Sequence, residues 1–96
     1  MDVNKLLRSA VSTGVVLFGF KQTQKAIKNN KAKLIIAALN CSPEHLKTLQ
    51  KQKNIPIYNY NGTNIELGAA CGKPFSIATI AILDEGNSNI IKALSS

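Results

Sequence analysis

Residues 19–40 read GFKQTQKAIKNNKAKLIIAALN, and the fold follows from how that stretch divides. A glycine comes first, at Gly19. Lys21, Lys25 and Lys28 then recur at i, i+4 and i+7, which places them on one face of a helix. Phe20, Thr23 and Ile27, with Ala26 beside them, take another face and can pack inward. Residues 34–39, LIIAAL, are unbroken and apolar, the pattern of a strand covered on both faces. The helix start after Gly19 offers unpaired N–H groups and a partial positive charge to an anion. Gly19 and Asn40 stand at element ends, where open α/β sheets place their ligands.

Working outward, Asp2 caps a first helix whose apolar residues Val3, Leu6, Leu7, Ala10 and Val11 follow a helical period, stopped at Thr13-Gly14. Residues 15–18 form a short strand, and the basic helix after it ends around Asn29-Asn30. Ser42-Pro43-Glu44 starts a third helix, with Leu46 and Leu49 inward and lysines 47, 51 and 53 outward. Ile55-Pro56-Ile57-Tyr58 opens a strand that the proline assigns to a sheet edge or a strand start. Thr63 and Glu66 have the spacing of a capping box for a fourth helix carrying Ile65, Leu67, Ala69 and Ala70. Gly68 inside it costs ~1 kcal/mol relative to Ala, which close approach of a neighbouring element would offset. Residues 73–76 form a loop, 77–83 an apolar central strand, and 84–86 a turn; Ser88 caps a last helix with Ile90, Ile91 and Leu94. Helix and strand alternate from end to end. That order predicts one domain over residues 1–96, a three-layer α/β/α sandwich with a four-stranded mixed sheet.

Twelve basic residues against five acidic ones give a net charge of +7, which in so small a chain favours a polyanionic partner. The five lysines of residues 21–33 have no acid among them. A membrane surface is disfavoured, since no basic helix also carries a broad aromatic face. No run of ~18 apolar residues suits a membrane span. The N-terminal MDVNKLLRSAV lacks the apolar core of a secretory signal. Cys41 and Cys71 have neither metal-site nor CxxC spacing and are expected as reduced thiols.

Reactive groups are sparse. His45 is the single histidine, expected to face solvent, and no acid pair or metal cluster accompanies it. Glu66 is accounted for by its cap and Asp84-Glu85 by a turn. No enzyme and no cofactor are expected. Three loops, at residues 19–23, 40–42 and 72–77, gain meaning if the sheet brings them together. They would present lysines, amides and the ring of Phe75, which suits phosphates, base edges and an unstacked base of irregular RNA. Phe75 could equally cap the end of the sheet.

These blocks resemble a known family. Gly19-Phe20-Lys21-Gln22-Thr23, Ala32-Lys33-Leu34-Ile35-Ile36-Ala37, Asn40, Gly62-Thr63-Asn64-Ile65-Glu66-Leu67-Gly68, Gly72-Lys73-Pro74-Phe75 and Ile82-Leu83-Asp84-Glu85-Gly86 are similar, in order, to the L-seven-Ae-like kink-turn RNA-binding family. Within it they are similar to the archaeal and eukaryotic large-subunit ribosomal L-thirty-e branch. The resemblance implies a non-enzymatic constituent of the large ribosomal subunit, cytoplasmic on ribosomes and monomeric when free. Its partners would be a bent internal loop of ribosomal RNA and neighbouring ribosomal proteins. By position it implies RNA contacts from Gly19, Lys21, Gln22, Asn40, Lys73 and Phe75, with Lys25 and Lys33 adding phosphate contacts. The L-seven-Ae branch carries Asn-Glu where this chain has Lys21-Gln22. That difference points to the L-thirty-e branch over relatives in small modification particles or a ribonuclease. Ser76 stands where some relatives carry a basic residue, so one phosphate contact of theirs has no counterpart. A small α/β enzyme is the rival from another class.

Overall fold

The computed structural model describes residues 2–51 and 54–95. Lys47 and Lys51 are exposed as expected; Lys53 lies outside the described residues.

Helix α1 (Val3–Thr13) begins where the Asp2 carboxylate accepts the Lys5 N–H, and it buries Leu7 and Ala10. Strand β1 (Val15–Phe18) follows, then Gly19 and helix α2 (Phe20–Lys28), which buries Thr23 and Ala26. Strand β2 (Leu34–Ala37) is buried at every residue, as its apolar run required. Helix α3 (Pro43–Gln50) anchors on Leu49, with proline in its first turn; the Ser42 side chain makes no capping hydrogen bond. Strand β3 (Ile57–Asn59), helix α4 (Asn64–Ala70), strand β4 (Thr79–Asp84) and helix α5 (Ile90–Leu94) complete the alternation. The capping box of α4 is present, Thr63 and Glu66 each accepting from the other's backbone N–H. At the start of α5, Ser88 Oγ accepts the Ile90 N–H.

The sheet runs β1-β4-β2-β3. Strand β4 is antiparallel to both β1 and β2, and β3 pairs parallel to β2, so the sheet is mixed. Strand β3 is an edge, and Pro56 sits just before it, where its missing N–H disturbs no ladder. Alternate residues of the strands feed two cores. Leu34, Ile36, Ile80 and Ile82 pack with Leu7, Leu67, Ile90 and Leu94 under α1, α4 and α5. Ala81, Leu17 and Leu83 pack with Ala26 and Ile27 on the opposite face under α2. Helices on both faces of one sheet make the three layers.

Several boundaries differ from the sequence reading. The apolar run of residues 34–39 outlasts its strand, because the last β2–β4 pair is Ala37 with Thr79. Beyond it the Leu39 N–H turns to the Gly62 carbonyl, and the Leu39 side chain is 71% exposed. The strand expected over 77–83 starts two residues later, at Thr79; Ile77 is buried but bonds to α4. Ile65, expected to pack inward, is also 71% exposed, since the buried side of α4 is formed by Leu67, Gly68 and Ala70.

Candidate nucleic-acid interface

The register decides which loops meet. Phe18 pairs with Ile80, Ala37 with Thr79, and Ala37 with Asn59. The C-terminal ends of β1, β2 and β3 therefore lie together at the N-terminal end of β4. Gly19, Asn40, the 62–64 turn and the 72–77 loop all gather at that one end.

Backbone bonds knit them. Gly19 N–H donates to the Thr79 carbonyl at 2.8 Å, and Ala38 N–H to the Ala78 carbonyl at 2.8 Å. Gly19 has φ +96°, a conformation side-chain-bearing residues rarely adopt, and a Cβ there would meet nothing within 4 Å. Its need for glycine is conformational, and it leaves the approach to α2 open. No side chain caps α2. Its first N–H groups thus face outward beside Lys21 and Gln22, both exposed.

Asn40 is held by Asn64. Its Oδ1 accepts the Asn64 N–H at 2.8 Å, and its Nδ2 donates to Asn64 Oδ1 at 3.2 Å. One N–H and one lone pair of the Asn40 amide are left for a ligand. Asn64 in turn accepts the Ile77 N–H at its carbonyl, 2.9 Å away, so the clamp fixes the end of the 72–77 loop. The other side of that loop rests on Gly68, where a Cβ would come within 2.0 Å of the Phe75 carbonyl oxygen. The close approach expected at Gly68 is this contact. Lys73 Nζ lies 5.3 Å from the centroid of the Phe18 ring, which draws the loop's cation toward Gly19. Phe75 is 54% exposed, so it caps no core and offers its ring to solvent.

Gly19, Lys21, Gln22, Asn40, Lys73 and Phe75 are thereby brought to one end of the sheet. Lys25 lies one helical turn farther along α2, ~6 Å away at ~1.5 Å per residue. Lys33 does not join them. It precedes β2, its N–H donates to the Ile82 carbonyl, and the whole strand separates it from Asn40, ~13 Å at ~3.3 Å per residue.

His45 does not stand free in solvent as expected. It is half-buried and stacked on Phe20. The sequence reading also missed Asn64 as the partner of Asn40, and the exposed Leu39 and Ile65 that flank this amide pair in the chain. Nothing local marks any of them, since each acquires its place through a distant segment. Burial pushes the Cys71 thiol up to about 11, opposed by nearby Lys73. Cys41 and Cys71 are free and buried. Among the described residues no three His, Cys, Asp or Glu side chains group as a metal site, and no helix is long and apolar enough to cross a membrane.

A helix start open to anions, lysines, an oriented amide and an exposed ring stand together at one end of an α/β/α sandwich, the kinds of group with which proteins hold irregular nucleic acid. The chain is 47% identical over 95 residues to the large ribosomal subunit protein eL30 of Methanocaldococcus jannaschii, covering 96% of this chain and 86% of that one. It is 45% identical over 93 residues to eL30 of Methanosarcina mazei, covering 97% and 89%. A solved structure of a protein of unknown function from Bacillus halodurans superposes with a TM-score of 0.83 at 28% identity, over 97% of this chain and 95% of that one. The profile of the ribosomal protein L7Ae/L30e/S12e/Gadd45 family matches residues 1–92, and the chain belongs to that family.

Proposed function

We propose that this chain is an RNA-binding structural constituent of the large ribosomal subunit and that it holds a sharply bent internal loop of ribosomal RNA, without catalysis. The observation that carries this reading is the convergence of the α2 start, the Asn40–Asn64 pair and exposed Phe75 around the first residue of β4. Its relatives' role in the large subunit supports the same assignment. All 96 residues act as one binding domain.

Phosphates meet the backbone N–H groups after Gly19 and the Lys21 and Lys73 ammonium groups, where charge-assisted bonds are strongest. Gln22 and the free half of the Asn40 amide address base edges. Phe75 stacks on a base that the bend has released from its neighbours. Other partners are adjacent ribosomal proteins in the cytoplasmic ribosome, and the free chain is a monomer.

The test is titration of the protein into an RNA with a bent internal loop and into a matched straight duplex, at ~150 mM salt. Preference for the bent RNA is expected. Equal, weak binding to both would reduce the chain to a basic protein with general RNA affinity and overturn the reading.

A further inference from the structure

A buried tyrosine lies beneath the loops that gather at the end of the sheet. Tyr60 follows the last residue of β3, is 8% exposed, and donates its N–H to the Ala37 carbonyl at 2.8 Å. Its side chain packs in the core under α1 and α4, and its hydroxyl donates to Asn4 Oδ1 at 2.6 Å. The residue is therefore held at both ends, by the last residue of β2 and by the first turn of α1. Burial pushes the phenol above its ordinary pKa, so at neutral pH it keeps the proton it donates. Gly62 lies directly against the ring: a Cβ there would come within 2.7 Å of Tyr60 Cε2 and 3.2 Å of Cδ2. The Gly62 carbonyl accepts the Leu39 N–H at 2.8 Å, one residue before Asn40, and Asn64 stands two residues beyond Gly62.

We propose that Tyr60 is a positioning residue for the Asn40 amide, setting through Gly62 the turn that carries Asn64, and that the Asn4–Tyr60 bond makes the first turn of α1 part of that support. This role rests on the RNA reading of the same sheet end and adds to it a buried residue with no RNA contact of its own. Packing alone would ask only for an apolar ring at this position. The hydroxyl adds a directional constraint, since its bond to Asn4 limits where the ring can slide. Gly62 passes that constraint to the backbone, because without a side chain its main chain rests on the ring itself. From the turn, hydrogen bonds reach the amide on both sides. The Gly62 carbonyl holds Leu39, and Asn64 holds the Asn40 side chain through its N–H and Oδ1. A shifted turn would swing the free half of the Asn40 amide off the base edge. Affinity for shaped RNA would fall, and charge-driven binding would stay as it is.

Tyr60→Phe keeps the ring and removes the hydroxyl, and Asn4→Ala removes its acceptor. The test titrates both variants and their double variant with the bent-loop RNA and with the matched straight duplex. Exchange of the Asn64 amide hydrogen is followed in the free proteins. Each single change should weaken the bent-loop complex by about twofold to tenfold, leave straight-duplex binding unchanged, and speed the Asn64 exchange. The double variant should be no weaker than either single one, since both changes break the same bond. Ile90→Val, on α5 in the same core, controls for lost stability and should match wild type in RNA binding. Unchanged bent-loop affinity in Tyr60→Phe and Asn4→Ala would overturn the proposal. So would an equal loss on the straight duplex or in Ile90→Val, either of which would leave Tyr60 a packing residue only. Equal binding of bent and straight RNA by wild-type protein would instead overturn the RNA reading, and Asn64 exchange in the free chain would still decide whether Tyr60 sets the turn.

Discussion

The imidazole of His45 lies flat on the ring of Phe20, centroids 3.7 Å apart and planes inclined by 4°. Phe20 is the first residue of α2, immediately before Lys21, and His45 is in the first turn of α3. The stack therefore ties the uncapped start of one helix to the start of the next. His45→Ala should cost about 0.5–1.5 kcal/mol of stability beyond the lost buried area and also weaken RNA binding. His45→Phe should restore both. Urea denaturation and RNA titration of the two variants check this; an alanine variant that binds RNA like wild type would leave the stack a purely structural role.

Phe75→Ala separates binding from folding. The ring is largely in solvent, so thermal stability should change by no more than about 0.5 kcal/mol. Loss of a stacked base should cost about 1–3 kcal/mol of affinity. Unchanged affinity would remove Phe75 from the interface.

Gly68→Ala should do the reverse and damage both. Its Cβ would press on the Phe75 carbonyl, a backbone atom that cannot swing aside. A loss of roughly 1–3 kcal/mol in stability is expected, with weaker RNA binding as the loop is pushed out of place. Denaturation and titration of the same preparation would show the two losses together.

Asn40→Ala removes both bonds to Asn64 and should loosen the 72–77 loop, lowering affinity by tenfold or so, about 1.4 kcal/mol. Asn40→Asp keeps an acceptor for the Asn64 N–H, and a turned-over Asn64 amide can donate to the second oxygen. Its fold should survive while the new negative charge repels phosphate. Hydrogen exchange at the Ile77 amide distinguishes the variants, with fast exchange expected in the alanine form and near wild-type protection in the aspartate form.

Cys71 gives a pH prediction. Burial raises its thiol from 9.0 to about 11 in the folded chain. Above pH 9 the unfolded chain loses this proton while the folded chain keeps it, so stability falls as pH rises between those values. Cys71→Ala should remove that part of the decline, which comparing the two unfolding midpoints from pH 8 upward would reveal. The same burial should leave Cys71 slow to alkylate at neutral pH.

Local chemistry explains what could be read from the sequence. Gly19, the capping box of α4 and the wholly apolar β2 each depend on neighbours in sequence, and each was legible. Leu39 was not, because an apolar run does not reveal where its hydrogen-bonding partner stops; Thr79 ends the pairing at Ala37. His45 gave no sign of Phe20, and Asn40 none of Asn64, since those partners belong to other elements. Lys33 sits close to Asn40 in sequence, yet an extended strand carries it to the opposite end of the sheet. Nearness along a chain means nearness in space within a helix turn, not along a strand.

Strand β4 is the last strand in sequence, yet it lies between β1 and β2. During synthesis β1 has no sheet partner until β4 emerges, and the end that gathers Gly19, Asn40 and Phe75 has no floor. Nearly all of the lysines have been made by then. The positive charge of a nascent chain is therefore in place before the strand that draws these loops together. The central place of β4 makes its arrival the event that assembles that end of the sheet.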